Sequence, residues 1–351
     1  MSRSVLVLGA RGRFGRASAH AFRDAGWEVH ALSRGAAPGI PGTTGHRGDL
    51  RDAGALARLA EGRELIVHAA NVPYPDWAKE LPALTRAVLA AAEASGATVL
   101  IPGNVYVFGR AMPELLGPGT PHRPDTRKGR LRAEMEAAFR AASARGVRTI
   151  VLRAGDFLEA EASGNWFDAV LAKSLAAGRL IYPGRRDAVH AWAWLPDAAR
   201  AAVGLAEIRE DLPAFADVPF AGLSLTGEEL RAGLAQAMGR GVTLRGFPWA
   251  LLRLGAPFNP MWRELLEMRY LWDLPHRLDP EPLARLLPDY RPSAAEAVFA
   301  ALVAGSASGS TTSAQTSRWE GPVATAPASA ASGAGQNTPA PTSSSAASGR
   351  T

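Results

Sequence analysis

The chain has 351 residues, 47% of them hydrophobic and 21% charged, which is enough for a sizeable core and argues against wholesale disorder. It contains no cysteine, so disulfide frameworks, zinc–thiolate sites and cysteine nucleophiles are excluded. Lys and Arg number 39 against 33 Asp and Glu, a net charge of +6, but only Lys79, Lys128 and Lys173 are lysines and the arginines are scattered. The basic balance therefore reads as an arginine-for-lysine habit rather than a nucleic-acid surface. No apolar run reaches the roughly 20 residues that a bilayer span needs, and the apolar start is too short for a secretory leader. A cytoplasmic protein with no membrane partner is expected.

Strand and helix alternate from the start. Ser4–Gly9 reads as a strand, followed by a Gly-rich turn and a helix from about Phe14 to Ala25, with Gly26 where a C-capping glycine belongs. Then come the strand Glu28–Ser33, a Gly-rich turn leading to His46–Leu50, a helix near Ala53–Ala60 and the strand Glu64–Ala70. A long Ala-rich helix over Trp77–Ser95 precedes the strand Ala97–Pro102. A helix from about Thr126 to Arg145 precedes the strand Arg148–Arg153. Strands written as unbroken apolar runs between helices indicate a parallel sheet covered on both faces, hence a doubly wound α/β domain of Rossmann type over residues 1–155.

The alternation breaks down beyond that point. Helical stretches at Trp166–Ala177, Asp197–Ile208 and Glu228–Met238 mix with Trp- and Pro-rich segments, predicting a smaller, mostly helical lobe over 156–304 with strands returning to the sheet. Residues 305–351 are Ser, Ala, Thr, Gly and Pro with Trp319 as the only large anchor, a composition expected of a disordered tail.

The strongest motif is Gly9-Ala10-Arg11-Gly12-Arg13-Phe14-Gly15, between the first strand and the first helix. Its glycines allow a tight turn and close approach of backbone to a pyrophosphate, whose charge then rests on helix N-terminal N–H groups. An NAD site places a carboxylate at the end of the second strand. Here that strand runs His30-Ala31-Leu32-Ser33-Arg34, and Arg34 with Arg11 suits a 2′-phosphate, so NADP(H) is expected ahead of NAD(H).

With this loop, Leu32-Ser33-Arg34, Gly48-Asp49-Leu50, His68-Ala69-Ala70-Asn71 and Pro102–Gly109 (PGNVYVFG), the chain resembles the extended short-chain dehydrogenase/reductases, the NAD-dependent epimerase/dehydratase group. The resemblance implies that Gly9, Arg11, Gly12, Phe14, Gly15 and Arg34 hold the dinucleotide. It also implies that Asp49 and Leu50 flank its adenine, that Ala69, Ala70 and Asn71 lie along it, and that the second lobe binds a small substrate. It implies an oxidoreductase or epimerase acting on a sugar-like or other small carbonyl or hydroxyl compound, and a homodimer is compatible with it. That family works with a Ser or Thr and a Tyr-x-x-x-Lys pair. In register with it, Asn104 stands at the hydroxyl position, Thr126 at the tyrosine and Arg130 at the lysine.

The surviving chemistry is different. Threonine is a poor acid/base and arginine cannot shuttle protons, but the Asn104 amide can donate to a carbonyl or developing oxyanion. Lys128 stands out in a chain that otherwise writes Arg, as a cation for ribose or phosphate or as a solvated lysine at a helix start. Two phenols could replace the missing one: Tyr106, on the same side as Asn104 if the segment is extended, and Tyr74, on the loop after the fourth strand. His122 and His190 read first as surface or structural histidines and Asp156 as a turn residue, while the Trp-rich lobe suggests an apolar or ring-shaped ligand and core packing explains most Trp equally well. No acidic–histidine spacing predicts a metal. The rival reading is a non-catalytic NADP(H)-binding sensor; RNA binding would rest on charge alone.

Overall fold

The structure, a computed structural model, describes residues 3–308. Its centre is a seven-stranded parallel sheet built from β1 (Ser4–Leu8), β2 (Glu28–Ser33), β3 (Thr44–Arg47), β4 (Leu65–His68), β5 (Thr98–Gly103), β6 (Thr149–Arg153) and β7 (Phe215–Pro219), in the order 7-6-5-4-1-2-3. The chain runs outward from β1 to β3 and then returns to the other side of β1 as β4, so the strand order reverses between β1 and β4. Ligands of open α/β sheets bind in the crevice at the carboxyl ends of the strands flanking such a reversal.

Alternate residues of each strand feed two cores. Val5, Val7, Leu65, Val67, Leu100, Ile150 and Leu152 face α1 (Arg13–Asp24) and α5 (Leu195–Glu207). Leu6, Leu8, Ile66, Val99, Ile101 and Val151 face α2 (Ala53–Ala60), α3 (Trp77–Ser95) and α4 (Arg127–Ala142). Burial on both faces is why these strands carry no polar alternation. The stretch read as a turn before residue 46 pairs as the edge strand β3.

The expected continuous helix Trp166–Ala177 is not formed. Asp168 turns its carboxylate back onto the N–H groups of Ser163 (2.7 Å) and Gly164 (2.8 Å). The chain then makes a wide turn at Phe167–Leu171 and a tight one at Leu175–Ala177, closed by Gly178 at φ +68°. Beyond β6, helices dominate, and three short sheets are added: Asp156–Leu158 with His190–Trp194 and Leu223–Leu225, Arg179–Tyr182 with Thr243–Gly246, and Leu115–Leu116 with Arg277–Leu278. A third core, holding Trp192, Trp249 and Trp272, fills this region, so most of the tryptophans are packing residues as expected. The final helix, Ala295–Ser308, crosses the expected tail boundary at 305, and the rest of that tail, Trp319 included, lies outside the described residues.

Candidate active site

The crevice has two ends, and the glycine loop builds the first. Gly9 adopts φ +76°, and a Cβ there would lie 2.6 Å from Ala70 Cα and 2.8 Å from Ala70 N, so a side chain would push β1 and β4 apart. A Cβ on Gly15 would meet Gly9 O at 2.4 Å, and one on Gly12 would meet the same oxygen at 3.2 Å. The N-cap of α1 is Gly12, which brings no side-chain acceptor to the first-turn N–H groups. Bare helix N–H groups behind a cradle that a Cβ would fill suit a pyrophosphate, so the residues present fit a dinucleotide.

The flank of this end is basic. The Arg11 guanidinium lies over Gly35, since a Cβ there would be 3.2 Å from its Nη1, which brings it beside Arg34. A shallow recess next to them is lined by Arg34, Asp49, Leu50, Ala70, Asn71 and Val72, among others. Asp49 is bound there by Arg51, whose Nε and backbone N–H both lie at 3.0 Å, and these bonds hold its carboxyl at about 2. Phe14 offers only backbone to a ligand, because its ring is buried against Phe157 (centroids 6.0 Å apart). A strap unforeseen in the sequence crosses the same loop. Arg13 Nε donates to Ser163 Oγ at 2.7 Å and lies 3.5 Å from the buried Glu159 carboxylate, and Arg16 pairs with Glu161 at 2.5 Å.

At the other end the Tyr74 and Tyr106 hydroxyls lie 3.1 Å apart, one from the loop after β4 and one from the turn after β5. Tyr106 stands in a tight turn (Tyr106–Phe108) instead of the expected extended segment, and Asn104 Oδ1 accepts its backbone N–H at 3.0 Å. Asn104 thus shapes the turn that aims Tyr106, which leaves its amide nitrogen as the group able to donate. Burial raises both phenols above their usual pKa, Tyr106 furthest. Tyr74 also packs edge-on to Trp77 (5.0 Å), which lies beneath the guanidinium of Arg132 (4.8 Å).

The family model for the NAD dependent epimerase/dehydratase family matches residues 5–214. The chain belongs to this family. Among solved structures, the fold resembles UDP-glucose 4-epimerase from Bifidobacterium longum in complex with NAD+ and UDP (15% identity, 87% of this chain and 98% of that one, TM-score 0.68). It also resembles the dTDP-glucose 4,6-dehydratase of Streptomyces venezuelae (20%, 87% and 97%, 0.68) and MoeE5 in complex with UDP-glucose and NAD (16%, 89% and 100%, 0.69). No curated protein matches. No helix among the described residues is long and apolar enough to cross a membrane.

Within an epimerase/dehydratase frame, the segment where Tyr-x-x-x-Lys is expected has become structural. Thr126 is 3% exposed and caps α4, its Oγ1 accepting the Gly129 N–H at 3.0 Å. Arg130 is exposed. Lys128 is 0% exposed, which overturns the solvated reading, and its Nζ lies 5.1 Å from the centroid of the Tyr74 ring. Its Nζ contacts the Glu264 carboxylate, Glu264 O at 3.0 Å and Glu267 at 2.6 Å, so its three N–H groups are spent on the helix Pro260–Glu267.

Asp156 stands in a short strand and not in the expected turn, while His190 and His122 have the structural surroundings expected of them. Asp156 accepts from His190 Nε2 at 2.9 Å, and His190 is buried with its ring flat on Trp272 (4.4 Å, 4°). Among the described residues His122, Glu136 and Asp217 bring potential metal-ligand atoms together. Both carboxylates are already neutralised there by the buried Arg153, at 2.7 Å each, and the cluster reads as a buried ion-pair network.

Proposed function

We propose that the chain is a nicotinamide-dinucleotide-dependent oxidoreductase or epimerase of a sugar-like carbonyl or hydroxyl compound, with residues 1–155 holding the cofactor and 156–304 the substrate. The observation that carries this reading is the hydroxyl pair Tyr74–Tyr106, 3.1 Å apart beside the glycine-loop crevice. Structures that share the fold hold NAD with UDP or UDP-glucose, which supports a sugar nucleotide as the substrate class. A bound nicotinamide would give or take the hydride. Tyr106, kept protonated at neutral pH by burial, donates to the substrate oxygen, with Tyr74 behind it and the Asn104 amide as a second donor. Gly9, Gly12, Gly15 and the backbone at Phe14 take the pyrophosphate. Asp49 and Leu50 flank the adenine, and Ala69, Ala70 and Asn71 border the rest. Arg34 and Arg11, at a strand end with no carboxylate, favour NADP(H) over NAD(H).

The test follows nicotinamide absorbance with NADPH and NADH over a panel of sugar nucleotides and small carbonyl compounds. Tyr106→Phe is expected to lower kcat on the order of a hundredfold or more, Tyr74→Phe less. Arg34→Asp is expected to weaken NADP(H) roughly tenfold to a hundredfold and to leave NAD(H) much less affected. Tight cofactor binding with no turnover on the panel would overturn the catalytic reading; equal loss of both cofactors would overturn the NADP preference.

A further inference from the structure

Four large apolar side chains are exposed among the described residues, and three of them, Leu251 (63%), Leu254 (79%) and Phe258 (90%), stand in one helical hairpin. Apolar residues scattered singly over a surface are ordinary; three gathered on one feature are not. The hairpin joins the helix Trp249–Gly255 to the helix Pro260–Glu267. At about 100° per residue, Leu251 and Leu254 stand about 60° apart, opposite the buried Trp249 and Leu252. The first helix is apolar all round apart from Arg253, a pattern that belongs to a buried helix, yet one side of it faces solvent.

The backbone holds Phe258 out at the apex. Gly255 O accepts the N–H groups of Phe258 (3.0 Å) and Asn259 (3.1 Å), and Asn259 Oδ1 accepts the Trp262 N–H at 3.3 Å to cap the second helix. A Cβ on Gly255 would lie 2.1 Å from the Trp262 ring, so the two helices close tightly behind the apex. Ala250 and Pro257 extend the exposed face, whose side chains offer no hydrogen-bonding group. The chain around this face is cationic. Arg245, Arg253 and Arg263 are exposed and form no ion pair or side-chain hydrogen bond among the described residues, and the stretch from Arg240 to Arg263 holds four arginines and no carboxylate.

That charge chooses among occupants. A twofold contact of this face with a second copy would bring the same arginines together with no carboxylate to meet them. Residues 309–351 carry Arg318, Glu320 and Arg350, a net positive charge that does not complement the face. An acidic protein partner would match the charge, but a protein interface also uses directional polar contacts, and these apolar side chains provide none. A bilayer containing anionic lipid asks only for protruding apolar side chains with cations around them. We propose that this hairpin docks the protein on the surface of an anionic phospholipid bilayer, with Leu251, Leu254 and Phe258 at the boundary of headgroups and acyl chains and Arg253 and Arg263 on the lipid phosphates. Such a contact is separate from the spanning helix whose absence led to the expectation of no membrane partner.

The test sediments the full chain with vesicles of phosphatidylcholine and phosphatidylglycerol at about two to one, and with phosphatidylcholine alone, at low and high salt. Binding to the mixed vesicles is expected, at least about tenfold weaker on phosphatidylcholine alone and lost at high salt. Leu254→Ser with Phe258→Ser, and separately Arg253→Gln with Arg263→Gln, are each expected to weaken it about tenfold or more. All four side chains are exposed, so the thermal midpoints should stay at that of wild type. Because the chain has no cysteine, Pro257→Cys carries a single environment-sensitive fluorophore, whose emission is expected to shift to the blue on mixed vesicles. No sedimentation with mixed vesicles overturns the proposal and leaves the face to an acidic protein partner. Sedimentation that the Leu254→Ser, Phe258→Ser variant leaves unchanged overturns it, as does a lipid-free dimer that this variant breaks. A fluorophore that keeps its aqueous emission while the protein sediments overturns it as well.

Discussion

The two ends of the crevice are built on different terms. At the cofactor end the demands fall on the backbone: a positive φ at Gly9, room for no Cβ at Gly9 or Gly15, and a helix start without a side-chain cap. Such demands tie this end to the glycine spacing of its loop. At the reaction end the demands fall on side-chain groups, which can be supplied from anywhere that reaches. Tyr74 and Tyr106 come from separate segments, and the positions in register with the family's Tyr-x-x-x-Lys pair carry Thr126, which caps α4, and the exposed Arg130.

Lys128 gives the largest expected effect and the sharpest break in this comparison. If it is an anchor, Lys128→Met leaves the buried Glu264 with only Arg127 and the half-buried Glu267 with no ion-pair partner, at a cost of ~3 kcal/mol. Urea denaturation should report that loss, and Lys128→Met combined with Glu264→Gln and Glu267→Gln should recover most of it. If Lys128 instead serves the cofactor end, stability would be nearly unchanged and dinucleotide affinity would fall.

Next in size is an acid sensitivity that each end carries in one buried histidine. His68 ends β4 and is held at about 4, by burial first and by Arg132 second; His276 at the reaction end is held at about 3, chiefly by burial. Both stay neutral when folded but take up a proton near pH 6.5 when unfolded, so the unfolded chain binds more protons below that pH. The stability they allow is present above about pH 6.5 and is lost as pH falls toward 4 for His68 and 3 for His276. At pH 5 the expected loss is about 2 kcal/mol for each. Denaturation midpoints at pH 7.5 and 5 would measure it. His68→Gln and His276→Gln should each flatten part of the slope, and an unchanged slope would show that these sites open easily to water.

The sequence discloses these features unevenly. The sheet, α2 and α3 follow from apolar runs and capping residues, because local periodicity and turn chemistry decide them. The burial of Phe14 against Phe157 and of Lys128 against the helix Pro260–Glu267 is not legible in the sequence, since these are contacts across 143 and about 136 residues. Asp156–His190 and the strap from Glu159 to Asn165 were equally hidden; no spacing rule links residues that meet only after the second lobe folds. The one available signal was chemical, a lone lysine in an arginine-rich chain and a carboxylate straight after a strand end.

The smallest effect asks whether the old tyrosine position keeps any catalytic memory. Thr126 is buried, and its hydroxyl accepts the Gly129 N–H at 3.0 Å, satisfying one of the first donors of α4. Thr126→Ala should cost about 1 kcal/mol of stability, as loss of an N-cap does, with kcat unchanged. Thr126→Tyr is the more telling variant. Glycine at 129 already brings the turn so close that a Cβ there would sit 2.5 Å from Tyr106 O, so a phenol at 126 has no room beside it without displacing Tyr106. Restoring the family's tyrosine should therefore lower turnover through Tyr106, even with Arg130→Lys added, and a gain in kcat from that pair would mean the reaction end had never left its ancestral geometry.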